Sequence, residues 1–280
     1  LLFGCPTYYS TEGSSQCIRA LLHLASQMAR RQGRAPRIAA ARNVHKTFLS
    51  AVALLDLEVT WLYPGQQDSY LSCQLTAAEL EAQLTAMDHP PAAVYVTSPD
   101  YLGNTVDIEA LAKVCHKHGA LLAVDNAHGA YLRFLPQSRH PMDLGADLCC
   151  DSAHKTLRVL TGGAYLQISK EMEKKLTRDP KIALGLFGST SPSYLILQSL
   201  DLCNQLLAEG YIEDIRTACA RVAVLADALQ KLGFDARANA GDPLKLVIRD
   251  ACGGTALAQG LRERGIEVEF ADRAAVVLML

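Results

Sequence analysis

The chain has 280 residues, 50% of them apolar and 20% charged, with a formal net charge of −2. That length holds one large domain with part of a second, around an ordinary core. The near-neutral balance excludes a general attraction for nucleic acid or anionic lipid. Nine scattered cysteines without a CxxC pair point to free thiols in a reducing compartment, hence a cytoplasmic protein.

Leu1 to Ser10 is broken by Gly4 and Pro6 and is expected to be a loop. It leads into Thr11-Glu12-Gly13-Ser14-Ser15, after which Ile18, Leu21, Leu22, Leu24, Ala25 and Met28 follow helical spacing. Unpaired N–H groups and the dipole at a helix start can grip a phosphate beside Gly13, Ser14 and Ser15; a plain serine N-cap is the simpler alternative. Pro36 to Ala41 reads as a buried strand, and Arg42 to Lys46 opens a helix running to Leu55. His45, at that corner, could stack on a cofactor ring or merely cap the helix.

Glu58 to Tyr63 is a further strand, and Thr76 with Glu79 forms a capping box for a helix from Leu75 to Met87. Ala92 to Thr97 is a strand ending in the loop Ser98 to Asn104. Asp107 then caps a helix that Gly119 terminates after His118. Cys115, His116 and His118 do not converge as metal ligands at that spacing and are expected to be helix-end groups. Leu121 to Asp125 and Asp147 to Cys150 are strands, and Gly163 to Ile168 runs back after a turn carrying Lys155.

Helices are expected from Ser191 or Ser193 to Leu207 and from Ile212 to Leu232. Strands at Phe234 to Ala238, Lys245 to Arg249, Ile266 to Phe270 and Ala274 to Leu280 surround a helix from Thr255 to Arg264. The boundary is placed near Glu209: residues 1–209 form a large domain, and 210–280 a linking helix with a partial small α/β domain. Neither a signal peptide nor an eighteen-residue apolar run is present. Both ends are abrupt, as in a segment of a longer protein, and the apolar stretch AAVVLML is expected to expose an edge if the chain stops there.

Alternating strands and helices signal βαβ units and a mostly parallel sheet, which binds ligands at the carboxyl ends of its strands. Asp125 at one strand end and Lys155 just past another suit pyridoxal 5′-phosphate. Lysine supplies the imine nitrogen, and the carboxylate keeps a pyridine nitrogen protonated so that the ring accepts electrons. Gly13, Ser14, Ser15, Ser152 and His154 are the phosphate candidates, and His45 the ring-stacking one. Metal ligands are not expected, because HExxH and paired CxxC are missing, and the DNAH at 125–128 lacks the glycine-rich loop of nucleotide hydrolases.

The segments RNVHKT, VTSPDYLGNTVDIEALAKVCHKHGALLAVDNAHGAYL, LGADLCCDSAHKTL, STSPSYLILQSLD, DPLKLVI and RGIEVEF resemble the large domain of the ornithine/lysine/arginine decarboxylase family. The resemblance implies a three-layer α/β fold of the aminotransferase-like, fold-type-I kind. It also implies decarboxylation of a basic amino acid to an amine of the polyamine class, in a homodimer with its active site at the interface. By the same resemblance Lys155 carries the aldimine, Asp125 pairs with the ring nitrogen, His45 and Ala127 flank the ring, and Ser14, Ser15, Ser152 and His154 hold the phosphate. The loop Ser189 to Ser193 serves the neighbouring subunit's phosphate.

Departures from the family pattern are Asn126 for Glu, Asp151 for Gln, Gly162 for Gln, Tyr131 or a neighbour for a second His, and Gln16-Cys17-Ile18 after the glycine turn. Two other readings keep the cofactor: a fold-type-I aminotransferase or β-lyase, and a truncated copy with little activity.

Overall fold

A computed structural model of the chain describes residues 2–66, 69–176 and 178–279; Leu1 and the expected strand end at Leu280 lie outside the described residues. The first sheet contains β1 (Thr7–Ser10), β2 (Ile38–Ala41), β3 (Val59–Leu62), β4 (Ala93–Thr97), β5 (Leu121–Asp125), β6 (Leu148–Asp151) and β7 (Ala164–Ile168), in the order β1-β7-β6-β5-β4-β2-β3. Strands β3 to β6 are mutually parallel with β2, and β7 runs antiparallel to both of its neighbours. Parallel strands carry helices on both faces, so these strands read as apolar throughout rather than as alternating.

The two faces separate by the strand period of two. Ala40, Tyr95, Ala123 and Cys150 pack under α1 (Gly13–Arg31) and α2 (Lys46–Leu55). Ala41, Val94, Val124 and Cys149 pack under α3 (Ala77–Thr85) and α4 (Ile108–Lys117). Helix α1 is centred on the first face because Cys17, Ile18, Leu21, Leu22, Leu24 and Ala25 all fall on its buried stripe. The capping box of α3 forms as expected, Thr76 accepting from the Glu79 N–H and Glu79 reaching back to Thr76.

The region expected as a loop before α1 contains β1, whose four residues pair antiparallel with β7 and extend the sheet. Alternation is too short there to reveal a strand, and the pairing partner lies more than 150 residues on. Lys155 sits on a one-turn helix, α5 (Ala153–Thr156), rather than a plain turn. Two helices follow β7 that the sequence did not announce, α6 (Lys170–Leu176) and α7 (Asp179–Leu186).

Beyond them come α8 (Tyr194–Leu206), capped by Ser193, and α9 (Ile212–Lys231), separated by a kink where Gly210 adopts φ 123°. A second sheet follows, of β8 (Asp235–Ala238), β9 (Lys245–Arg249), β10 (Phe270–Ala271) and β11 (Val276–Met279), with α10 (Gly254–Arg262) between β9 and β10. Its order is β10-β11-β9-β8, antiparallel throughout. The expected exposed edge in AAVVLML is therefore corrected: β11 is an interior strand, paired with β9 and β10. The strand expected from Ile266 shrinks to Phe270–Ala271.

Candidate functional site

The carboxyl ends of β2, β4, β5 and β6 face one cavity of about 610 Å³, closed on another side by the start of α1. Gly13, Ser14, Ser15, His45, Asp125, Ala127, Ser152, His154 and Lys155 all line it. Parallel, in-register pairing of β5 with β4 and β6 is what brings these strand ends to one level.

Asp125 ends β5 and is 2% exposed. The Tyr95 hydroxyl donates to its Oδ2 at 3.1 Å, and Oδ1 receives the Ala127 N–H at 3.2 Å and the Cys150 thiol at 3.5 Å. Burial pushes this carboxyl above its ordinary range, while the Tyr95 hydrogen bond and the nearby Lys155 and His45 pull it down. A buried carboxylate with this balance favours a cation brought against it.

Lys155 reaches the same cavity from α5, its Nζ 3.0 Å from His128 Nε2. Burial lowers its pKa, against the opposing pull of Asp125 and Glu269. A lysine shifted this way is more readily a free amine, which is the nucleophilic form. His128 is buried, its Nδ1 has no hydrogen-bond partner among the described residues, and its ring lies edge-on to Tyr101 at 5.1 Å. Desolvation, then the charge of Lys245, hold its pKa well below the histidine range. His128 escaped the sequence reading; its signal is position, three residues after the strand-end aspartate.

Helix α1 begins at Gly13 with Glu12 as N-cap and no side-chain cap bond, so Ser14 and Ser15 lie in the first turn rather than capping it. Gly13 has φ 75° with open space where a Cβ would stand, and its N–H donates to Gly162 O at 2.7 Å. Ser152 Oγ donates to Ser14 Oγ at 2.8 Å, and Ser15 and Thr47 hydroxyls lie 3.1 Å apart. The Ser14, Ser15 and Ser152 hydroxyls thus face the cavity at a helix start without a side-chain cap, the donor set an oxyanion needs. His154 also lines the cavity, with Nδ1 bound to Gly163 O at 3.0 Å. His45 does cap α2, its Nδ1 accepting from the Thr47 N–H at 3.2 Å, and it lines the cavity as well.

The loop from Ser189 stays near its own chain's helix start, where the Ser189 N–H donates to Glu12 Oε1 at 2.5 Å. His116 and His118 turn to different partners, Asp147 at 2.9 Å and Glu81 at 3.1 Å, while Cys115 is in the core. They do not gather around one point.

The family model for the Orn/Lys/Arg decarboxylase major domain matches residues 2–231. The chain belongs to that family. Among curated relatives, the uncharacterized protein YaaO of Bacillus subtilis is 32% identical over 262 residues, covering 85% of this chain and 52% of its own length. An arginine decarboxylase of Bacillus cereus is 27% identical over 294 residues, covering 98% and 61%. The chain thus spans little more than half the length of these relatives. The lysine decarboxylase LdcF of Francisella novicida has the same fold, with a TM-score of 0.80 at 17% identity, covering 99% of this chain and 46% of that one.

Asn126 and Asp151 are partners in the structure. Asn126 Nδ2 donates to Asp151 Oδ1 at 2.6 Å, one buried amide–carboxylate hydrogen bond. Asp151 also meets His140 Nε2 at 3.1 Å and the Cys149 thiol at 3.8 Å, all at 1% exposure or less. His140, Cys149 and Asp151 lie close enough to share an ion, yet the hydrogen bonds already occupy the carboxylate.

Proposed function

We propose that this chain is the cofactor-holding part of a pyridoxal-phosphate enzyme that decarboxylates a basic amino acid, namely lysine, arginine or ornithine. The observation carrying this reading is that Asp125 and the Lys155–His128 pair share one cavity with the uncapped start of α1. The residues fit the cofactor. A buried carboxylate suits its ring nitrogen, a depressed lysine its aldehyde carbon, and the Ser14, Ser15 and Ser152 hydroxyls with the Gly13 turn its phosphate.

Bound there, the cofactor supplies a pyridinium ring into which the electrons of the broken Cα–carboxylate bond pass. Asp125 holds the proton on the ring nitrogen, an opposite charge at contact favouring the protonated form. Ala127 and His45 confine the ring between them. Lys155 Nζ would hold the cofactor's aldehyde carbon and, as a free amine, would be the cavity's group for moving a proton, with His128 Nε2 3.0 Å behind it as acceptor. Glu269, just outside the cavity lining, acts on both Lys155 and Tyr101 through its charge.

In the same reading residues 1–209 form the cofactor unit and 210–280 the linking helix and small unit, a division supported by the Gly210 kink and by the separate second sheet. A homodimer in which Ser189 to Ser193 reach the neighbouring subunit's phosphate completes the site. The nine cysteines, all free and seven of them buried, support a reducing, cytoplasmic setting, and no helix of the described residues is long and apolar enough to cross a membrane.

The test is to load the protein with pyridoxal phosphate, supply each of the three amino acids, and measure carbon dioxide and amine. Lys155→Ala should remove the visible absorbance of lysine-bound cofactor. Keto acid without carbon dioxide would move the reaction to transamination, and an unchanged spectrum in Lys155→Ala would remove Lys155 from its role.

A further inference from the structure

We propose that Lys245, which belongs to the second sheet and does not line the cavity, is a positioning residue for the Lys155–His128 pair. It rests on the reading of Lys155 as the reacting lysine, and it adds a control that reaches that lysine from the C-terminal unit.

Lys245 opens β9 and is 0% exposed. Its Nζ donates to Asp100 O at 2.8 Å, lies 3.3 Å from Asp242 Oδ2, and stands 5.9 Å from the centre of the Tyr101 ring. The loop of Asp100 and Tyr101 follows β4 and forms one wall of the cavity. Asn239 ties the same loop a second time, donating to Leu102 O and Asn104 Oδ1, both at 3.0 Å. On the opposite side Tyr131 donates to Asp242 Oδ1 at 2.5 Å and accepts the Leu244 N–H at 3.2 Å. From Lys245 the contacts therefore run to Tyr101, from Tyr101 edge-on to His128 at 5.1 Å, and from His128 to Lys155 Nζ at 3.0 Å.

Stability alone gives no reason for such a residue. A buried ion pair replaced by apolar side chains of similar volume is often neutral or better for the fold. What an apolar residue lacks is the charge. A fixed cation behind Tyr101 disfavours a further proton on His128 and on Lys155, and Lys245 is the foremost charge acting on His128. It thereby keeps His128 a neutral acceptor toward Lys155. Of the charges acting on Lys155, Asp125 at the end of β5, Glu269 just before β10 and Cys150 in β6 favour its protonated form, while burial disfavours it; on His128, Lys155, His45 and His154 act in the same direction as Lys245. Lys245 opposes the first three, and it can do so only while β9 is docked on the loop.

The experiment labels lysines of the cofactor-free protein with a small amine-acylating reagent across a pH series and follows each lysine by mass spectrometry, exposed Lys113 serving as the internal reference. Lys245→Met combined with Asp242→Asn removes both buried charges together, so no uncompensated carboxylate remains. Lys245→Gln is the second variant; it keeps a donor for Asp100 O and leaves Tyr131 on Asp242. In both, the labelling midpoint of Lys155 should rise relative to wild type by about 0.5 pH unit, roughly threefold in its protonation equilibrium, with the Lys113 midpoint unmoved. A role confined to holding the sheet in place would leave the Lys155 midpoint where it was. An unmoved midpoint in whichever variant melts cooperatively overturns the proposal. Because no cofactor is used, failure of wild-type protein to take up pyridoxal phosphate would count against the proposed function while leaving this result standing.

Discussion

Asp151 and Asn126 show how a residue's meaning depends on its contact. Taken singly, each is a buried polar group that burial would penalise; together they make one hydrogen bond of 2.6 Å in a fully buried site. Asn126→Asp alone places two carboxylates in that contact and should destabilise the protein by about 3 kcal/mol. Adding Asp151→Asn restores a carboxylate–amide pair with the polarity reversed and should recover more than half of the loss in a urea double-mutant cycle. Recovery is incomplete because His140 loses its charged partner. His128 provides a second residue-scale expectation. Its pKa is depressed in the fold, so below about pH 6.5 the unfolded chain takes up a proton that the folded one refuses, and stability falls with pH by up to about 1.4 kcal/mol per unit. The raised carboxyls of Asp125 and Asp242 act with the opposite sign, since the fold retains their protons longer. Denaturation at pH 7.5 and 5.5 should therefore show a smaller acid loss in His128→Gln than in wild type.

Among the elements, the start of α1 and the turn into β7 work as one piece. Gly162, at φ 101°, accepts the Gly13 N–H through its carbonyl, and a Cβ there would stand 2.9 Å from Thr11 O. Gly162→Ala meets both left-handed strain and a backbone clash, and should lower stability by about 2 to 3 kcal/mol while weakening cofactor affinity. Gly13→Ala, at φ 75° in open space, meets the strain alone and should lower it by about 1 kcal/mol. Thermal melts of the two variants rank them, and equal losses would deny the clash. The same turn gives the glycine at 162 a physical reason: the backbone there is one that side chains rarely adopt.

For the whole molecule, ligand binding to the folded state is the most direct discriminator between a working cofactor unit and a degenerate copy. Pyridoxal phosphate at a hundredfold excess over its dissociation constant should stabilise by about 2.7 kcal/mol, which in a chain of this size is a melting shift of roughly 5 °C or more. Lys155→Ala should retain only part of that shift, carried by the phosphate and ring-nitrogen contacts. A degenerate copy would show none in either protein.

By itself the sequence determined the alternation of strands and helices, the parallel sheet, the strand end carrying Asp125 and the position of Lys155 just past another, because these depend on local periodicity and on breakers a few residues apart. The helix caps at Thr76 and Asp107 were legible for the same reason. Only the tertiary structure decided what depends on distant pairing. Strand β1 exists through β7, His128 gains its importance from Lys155 on the one-turn helix α5 beyond β6, and β11 is an interior strand because β9 and β10 take its two edges. Likewise Asn126 and Asp151 became partners, and Lys245 came within reach of Tyr101, only when β5 met β6 and the second sheet docked on the first. The order of residues sets which groups the chain carries to its strand ends; the packing of those strands sets which of them touch.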